Sequence, residues 1–207
     1  MTVSLPKENR TLSRASLVAL ALVLLALPAS AAIEAGAAAP DFTAPASLAG
    51  HHLNFSLAEA RKAGPVVVYF YPSAFTGGCD AEAHAFATRM DEFTAAGAKV
   101  VGVSLDNMER LDAFSQDPAY CAGKLTVVSD ADGAIAKSYG LTVKDASPGA
   151  KDVRGVEIGH GFAERVTFVV GADGKVISTS AGIPPTQHVD EALAAVQKAG
   201  KHEKPGT

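Results

Sequence analysis

The sequence predicts an α/β domain built on a mixed β-sheet, and three observations carry that prediction. Between residues 66 and 104, a buried-strand run, an amphipathic helical stretch and a second buried-strand run follow one another. Later, two short apolar runs flank Asp173-Gly174. A final helical stretch lies near the chain end. The first pattern is a βαβ unit with a right-handed crossover. The second is an antiparallel hairpin. Parallel and antiparallel pairing in one chain means a mixed sheet with helices packed against it. No internal linker or repeat divides the chain, so one domain is expected.

Residues 1–31 stand apart from that domain. Lys7, Arg10 and Arg14 form a basic start, Ala15–Leu27 is an uncharged and mostly apolar run, and Ala29-Ser30-Ala31 fits a small-x-small cleavage pattern. Together they read as a secretory signal peptide. The apolar run is too short for a stable membrane span, which needs about twenty residues. The mature domain is then 32–200, in a periplasm or outside the cell, and 201–207 is a flexible tail. Removing the leader leaves 15 basic and 21 acidic residues.

Val66–Tyr71 is a continuous β-rich apolar run, as a strand buried on both faces requires. After a turn over Pro72–Gly78, Cys79, Ala83, Phe86, Met90 and Phe93 recur at helical spacing, and Gly97 ends the helix. Lys99–Ser104 is the second buried strand. Asp106 or Asn107 can cap a helix reaching about Phe114. Leu125–Val128 reads as a strand, and Ala131–Tyr139 as a helix closed by Gly140. Residues 141–162 read as loop with one edge strand. Arg165–Val170 and Lys175–Thr179 form the hairpin. His188–Ala199 is the last helix, closed by Gly200.

Composition excludes several classes. Of 207 residues, 48% are apolar and 19% charged, enough for a sizeable core and too apolar for a disordered chain. The net charge is −4 and no Lys/Arg cluster occurs, so no nucleic-acid partner is expected. Two cysteines are too few for a disulfide scaffold or a Cys-based zinc site. His51-His52, His84 and His160 lack metal-ligand spacing, and no cofactor is expected.

The chemistry concentrates in Tyr71-Pro72-Ser73-Ala74-Phe75-Thr76-Gly77-Gly78-Cys79, at the carboxyl end of a buried strand, where α/β sheets place their sites. Cys79 falls in the first turn of the following helix, where the dipole and unpaired N–H groups favour a thiolate. Thr76 lies three residues earlier, with its hydroxyl in range of the sulfur or a bound substrate; it also reads as the helix N-cap. Two glycines let backbone approach a small polar ligand, and Pro72 stiffens the turn.

Pro72, Thr76 and Cys79 resemble the peroxiredoxin signature Pro-x-x-x-Thr/Ser-x-x-Cys. Asp41-Phe42, Glu82, Ser129-Asp130 through Tyr139-Gly140, and Glu164–Phe168 with Asp173-Gly174 extend the resemblance along the chain. It is similar to the alkyl-hydroperoxide-reductase/thiol-specific-antioxidant type and to the bacterioferritin-comigratory subgroup. The resemblance implies a thioredoxin-like fold and thiol-based reduction of hydrogen peroxide or organic hydroperoxides. Cys79 would attack the peroxide, Arg165 would supply positive charge, Thr76 would hydrogen-bond the peroxide, Pro72 would pack over the sulfur, and Glu82 would orient Arg165. Gly77-Gly78 departs from relatives with Pro or a bulky residue at the first position, which loosens the loop. His84 stands where one subgroup has its resolving cysteine, leaving Cys121 as the candidate. Bridging Cys121 to Cys79 would require the first helical turn to unwind. The implied partners are a peroxide and an external thiol or thioredoxin-like reductant, with a monomer or homodimer as the assembly. A thioredoxin-type thiol–disulfide oxidoreductase would want Cys-x-x-Cys, yet Thr76 fills the first position. A thioredoxin-like copper-binding protein would want Cys at 75 or 83, which are Phe75 and Ala83.

Overall fold

The computed structural model describes residues 1–2 and 32–202. The expected signal peptide therefore lies outside the described residues apart from Met1 and Thr2. No helix among the described residues is long and apolar enough to cross a membrane. In chain order the elements are β1 (Thr43–Leu48), β2 (His51–Ser56), α1 (Leu57–Ala60) with a 3₁₀ turn over Arg61–Ala63, and β3 (Val66–Phe70). There follow α2 (Gly77–Thr88), α3 (Met90–Ala95), β4 (Lys99–Ser104), α4 (Met108–Gln116), β5 (Thr126–Ser129) and α5 (Ala134–Ser138). Last come β6 (Val143–Lys144), β7 (Phe162–Ala163), β8 (Val166–Val170), β9 (Val176–Ala181) and α6 (Pro185–His202).

A seven-stranded sheet runs in the order β2-β1-β5-β4-β3-β8-β9. β3, β4 and β5 are parallel, and the flanking pairings are antiparallel. The mixed α/β sheet read from the sequence is what forms. Every residue of β3 is buried, because helices cover both faces. Val67 and Tyr69 join an apolar cluster with α2, α3, α4 and α6, while Val66, Val68 and Phe70 join the opposite cluster beneath α1 and α5. Gly102 on β4 makes room for Tyr69: a Cβ there would lie 2.6 Å from the Tyr69 hydroxyl. The Tyr69 ring in turn stacks on Phe86 of α2 at 4.6 Å, seating that helix.

Several elements differ from the sequence reading. The helix expected from Cys79 through Phe93 is two helices that break at Arg89 (φ −105°, ψ 10°). Thr88 Oγ1 donates to the His84 and Ala85 carbonyls, the back-bonding that bends helices. The β1–β2 hairpin was not legible: β1 is rich in Ala and carries Pro45, and its turn uses Ala49 (φ 52°) and Gly50 (φ 76°). α5 is shorter than expected and starts after the left-handed Gly133. Within 141–162, β6 pairs with β7 instead of forming a lone edge strand. β8 begins one residue after Arg165 and β9 runs on to Ala181. α6 starts at Pro185, whose missing N–H costs nothing in a first turn. It passes through Gly200 to His202, so the tail expected from Lys201 begins as helix, and residues 203–207 lie outside the described residues.

Candidate active site

The loop after β3 carries Cys79 into the third position of α2, where it is 2% exposed. Its N–H donates to the Thr76 carbonyl at 2.8 Å, and the Asp80 N–H donates to the same oxygen at 2.9 Å. β8 runs antiparallel to β3 with Val166 opposite Phe70. That register brings Arg165, one residue before β8, beside the end of β3. Arg165 Nη2 lies 3.1 Å from Cys79 Sγ, and Nη1 donates to Glu82 Oε2. Glu82 sits three residues beyond Cys79 on the same helix face and is fully buried. Three of the sequence-predicted residues thus meet in one cluster.

The glycine pair has a steric reason at one position. A Cβ on Gly78 would lie 3.3 Å from Pro185 Cγ and 3.4 Å from Arg165 Nη2, so this glycine lets Arg165 and the start of α6 close on the sulfur. A Cβ on Gly77 would meet no atom of the described residues within 4 Å.

Burial dominates the electrostatics. It pushes the Cys79 thiol up from its ordinary range, opposed by the Arg165 charge and by hydrogen bonding with the Ser73 backbone, Thr76 and Arg165. The N–H groups of Cys79 and Asp80, expected to face the sulfur unpaired, are taken by the Thr76 carbonyl, and in this closed arrangement loss of water outweighs the groups that favour the thiolate. Burial likewise pushes Glu82 up to about 7, against the opposing pull of Arg165. Behind this pair, His188 of α6 is fully buried with Nδ1 3.0 Å from Thr167 Oγ1. Burial and then the Arg165 charge hold His188 below its ordinary value.

Thr76 is the N-cap residue of α2 by position, but its side chain caps no helix N–H. Its hydroxyl donates instead to the Ser73 carbonyl at 2.7 Å. That bond uses the hydroxyl hydrogen and leaves the oxygen as an acceptor for the O–H of a peroxide. Pro72 lines a cavity of about 290 Å³ with Lys144, Phe162 and Arg165.

Cys121 lies in the turns after α4, fully buried and unbridged, in the same apolar cluster as Cys79. Burial first, then the negative charges of Asp80 and Asp117, hold its thiol well above the ordinary range.

A polar network around the loop was missed by the sequence reading. Asp106 is not the helix cap; Asn107 is, accepting from the Arg110 N–H at 2.9 Å. Asp106 is fully buried and accepts from the Ala74 N–H (2.8 Å), Ser73 Oγ (3.0 Å), Ser104 Oγ (2.7 Å) and Arg110 Nε (2.8 Å), with His160 Nε2 at 2.8 Å. Arg110 also binds Asp152. The i,i+4 spacing of Asp106 and Arg110 on a helix start was a readable signal. Asp152 and His160 come from the loop 145–161, where no spacing announces a partner.

The AhpC/TSA family model matches residues 35–179. The chain is 31% identical to the peroxiredoxin Bcp of Xanthomonas campestris over 79% of its own length and 94% of that protein. It is 30% identical to the Escherichia coli peroxiredoxin Bcp, covering 78% and 94% of the two chains. The crystal structure of the peroxidoxin BcpB from Mycobacterium tuberculosis superposes with a TM-score of 0.66 at 29% identity, covering 80% of this chain and 97% of that one.

Proposed function

The chain belongs to the AhpC/TSA family of peroxiredoxins and is a thiol-dependent peroxidase with a thioredoxin-like fold, and on that premise we propose that Cys79 is its peroxidatic cysteine. The observation that carries the assignment is the 3.1 Å approach of Arg165 Nη2 to Cys79 Sγ. Cys121 has the opposite surroundings, with Asp80 and Asp117 as the charges that act on it. A thiolate needs a cation, and of the two thiols Cys79 has one.

In the reaction the Cys79 thiolate attacks one peroxide oxygen and the O–O bond breaks. Its electron pair leaves on the second oxygen, which takes a proton to become water or an alcohol. The product on the protein is a Cys79 sulfenic acid. Negative charge moves from sulfur to the leaving oxygen, and Arg165 lies where it can stabilise both ends. Thr76 Oγ1 accepts the peroxide O–H, and Glu82 holds Arg165 in place. The Cys121 thiol then attacks the sulfenic sulfur, forming the Cys79–Cys121 disulfide and releasing water. An external thiol or thioredoxin-like reductant restores both thiols. Residues 1–31 act as an export signal, placing the mature chain in a periplasm or outside the cell as a monomer or homodimer.

The test is the intact mass of the reduced mature protein before and after one equivalent of hydrogen peroxide. Loss of two hydrogens supports the redox pair. Gain of one oxygen in Cys121→Ser, with no reaction in Cys79→Ser, supports the order of the two cysteines. A reactive Cys79→Ser chain overturns it.

A further inference from the structure

We propose that residues 150–161 form a strap that holds the Ser73–Thr76 loop in its peroxide-reactive arrangement, with Asp152 and Arg110 as positioning residues for the peroxide step. The proposal rests on Cys79 as the peroxidatic cysteine.

The strap is pre-shaped by its own turn. Asp152 Oδ1 accepts from the N–H groups of Arg154 (2.9 Å) and Val156 (3.0 Å), and the Asp152 N–H donates to the Val156 carbonyl at 2.8 Å. The other carboxylate oxygen, Oδ2, takes Arg154 Nη2 at 2.7 Å and Arg110 Nη1 at 3.0 Å. Asp152 is 6% exposed, so this is a buried carboxylate fully engaged by two guanidinium groups.

Each of those groups reaches on to the loop that carries Thr76. Arg110 Nη2 donates to the Ala74 carbonyl at 2.9 Å. The Arg154 guanidinium lies 3.3 Å from the centroid of the Phe75 ring. The Val153 N–H of the strap donates to the Phe75 carbonyl at 2.9 Å. Phe75 has φ 59°, a left-handed conformation that a phenylalanine keeps only when its surroundings hold it there. The Ser73 carbonyl, two residues before Phe75, is what fixes the Thr76 hydroxyl. Asp152 touches no reacting atom; it acts through Arg110, Arg154 and this loop.

By holding the segment that leads into α2, the strap contacts also oppose the second step. Cys79 and Asp80 both donate to the Thr76 carbonyl, and these bonds must break for the first turn of α2 to unwind toward Cys121. Releasing the strap should therefore slow attack on peroxide and speed disulfide formation.

The experiment measures both steps by rapid mixing with hydrogen peroxide in Asp152→Asn and in Arg154→Ala. The second variant truncates a side chain 36% exposed, which spares the core. In the Cys121→Ser background, Cys79 thiol loss reads the peroxide step alone; with Cys121 present, disulfide appearance reads resolution. The expected result is a peroxide step slower by about five- to ten-fold, the effect of losing one ordinary hydrogen bond from the loop, and faster disulfide formation. An unchanged peroxide step in both variants overturns the proposal. So does a parallel fall in both steps, which general loss of fold would give. Absence of a disulfide in the parent overturns the Cys121 assignment alone, because the Cys121→Ser measurement still decides the role of the strap.

Discussion

Arg165 binds the Cys79 sulfur with one guanidinium nitrogen and the Glu82 carboxylate with the other. The cation opposes the burial that pushes the Cys79 thiol up. Arg165→Gln removes that opposition, so the thiol should titrate at still higher pH. The peroxide rate should rise with pH toward the Cys79 pKa in both proteins, with the inflection displaced upward in the variant. At neutral pH the rate should fall about 10²–10³-fold, the usual cost of losing one pre-placed charge stabiliser. The pH profile of the peroxide step checks both.

Glu82 gives the same cluster a stability signature. Its carboxyl is pushed up to about 7 from 4.5, and Oε1 has no hydrogen-bond partner among the described residues. A folded pKa above the unfolded one means that the folded state binds the proton more tightly. That contribution is full below about 4.5 and is lost as pH rises through 7. Arg165→Met leaves a buried carboxylate without its cation and should destabilise the fold by about 3 kcal/mol at pH 8. Adding Glu82→Gln should recover much of that stability and none of the peroxidase activity. Urea unfolding of the two single variants and the double variant measures the cycle.

The division between what was legible in the sequence and what was not follows the range of the forces involved. Val66–Phe70 and Lys99–Ser104 announce themselves because burial on both faces demands continuous apolar runs. Cys79, Thr76 and Pro72 sit in one local segment, so their spacing could be read. Arg165 and Glu82 came from resemblance, and the β3–β8 register explains why Arg165 arrives beside the sulfur. Asp152 and His160 left no trace because the partners that tie them to the site, Arg110 and Asp106, lie 42 and 54 residues away across an irregular loop. The helix break at Arg89 was hidden because the apolar stripe continues through it on α3, where Phe93 is fully buried.

Cys121 should be the inert thiol of the resting protein. It is fully buried, and burial with Asp80 and Asp117 holds its thiol far above neutral pH. Under native conditions iodoacetamide should modify Cys79 first, with Cys121 labelled only at the rate of local opening. Low urea should raise the Cys121 rate. Peptide mass spectrometry of partly labelled protein reads the order, and equal rates at both thiols would contradict it.

Gly102 tests the packing that seats α2. A methyl group there would meet the Tyr69 ring, which is already stacked on Phe86 at 4.6 Å and Tyr71 at 5.3 Å. Gly102→Ala should destabilise the fold by about 1–3 kcal/mol, as overpacking of a filled core does. Thermal unfolding measures this, and an unchanged midpoint would mean that the ring has room to move.

His160 makes the strap sensitive to pH. Its Nε2 lies 2.8 Å from Asp106 Oδ1 and its Nδ1 lies 2.8 Å from the Gly161 carbonyl. Both partners only accept, so only the protonated ring, with hydrogen on both nitrogens, makes both bonds at once. Burial and Arg110 disfavour that charge, but the Asp106 contact outweighs them and raises His160 above its ordinary 6.5. The groups facing the ring are Asp106, Arg110 and the Gly161 carbonyl, with Phe162 against its edge. Because the folded pKa is raised, the stabilisation is full below 6.5 and is lost as pH rises through the folded value. Above it the neutral ring can donate to Asp106 or to Gly161, not to both. The Val153 amide, bonded to Phe75, should then lose protection across the His160 titration, beyond the intrinsic rise of exchange with pH. Hydrogen exchange measured over that range, with His160→Gln as the comparison, reads the effect. The variant should show no such step, and a step of equal size in both proteins would detach His160 from the strap.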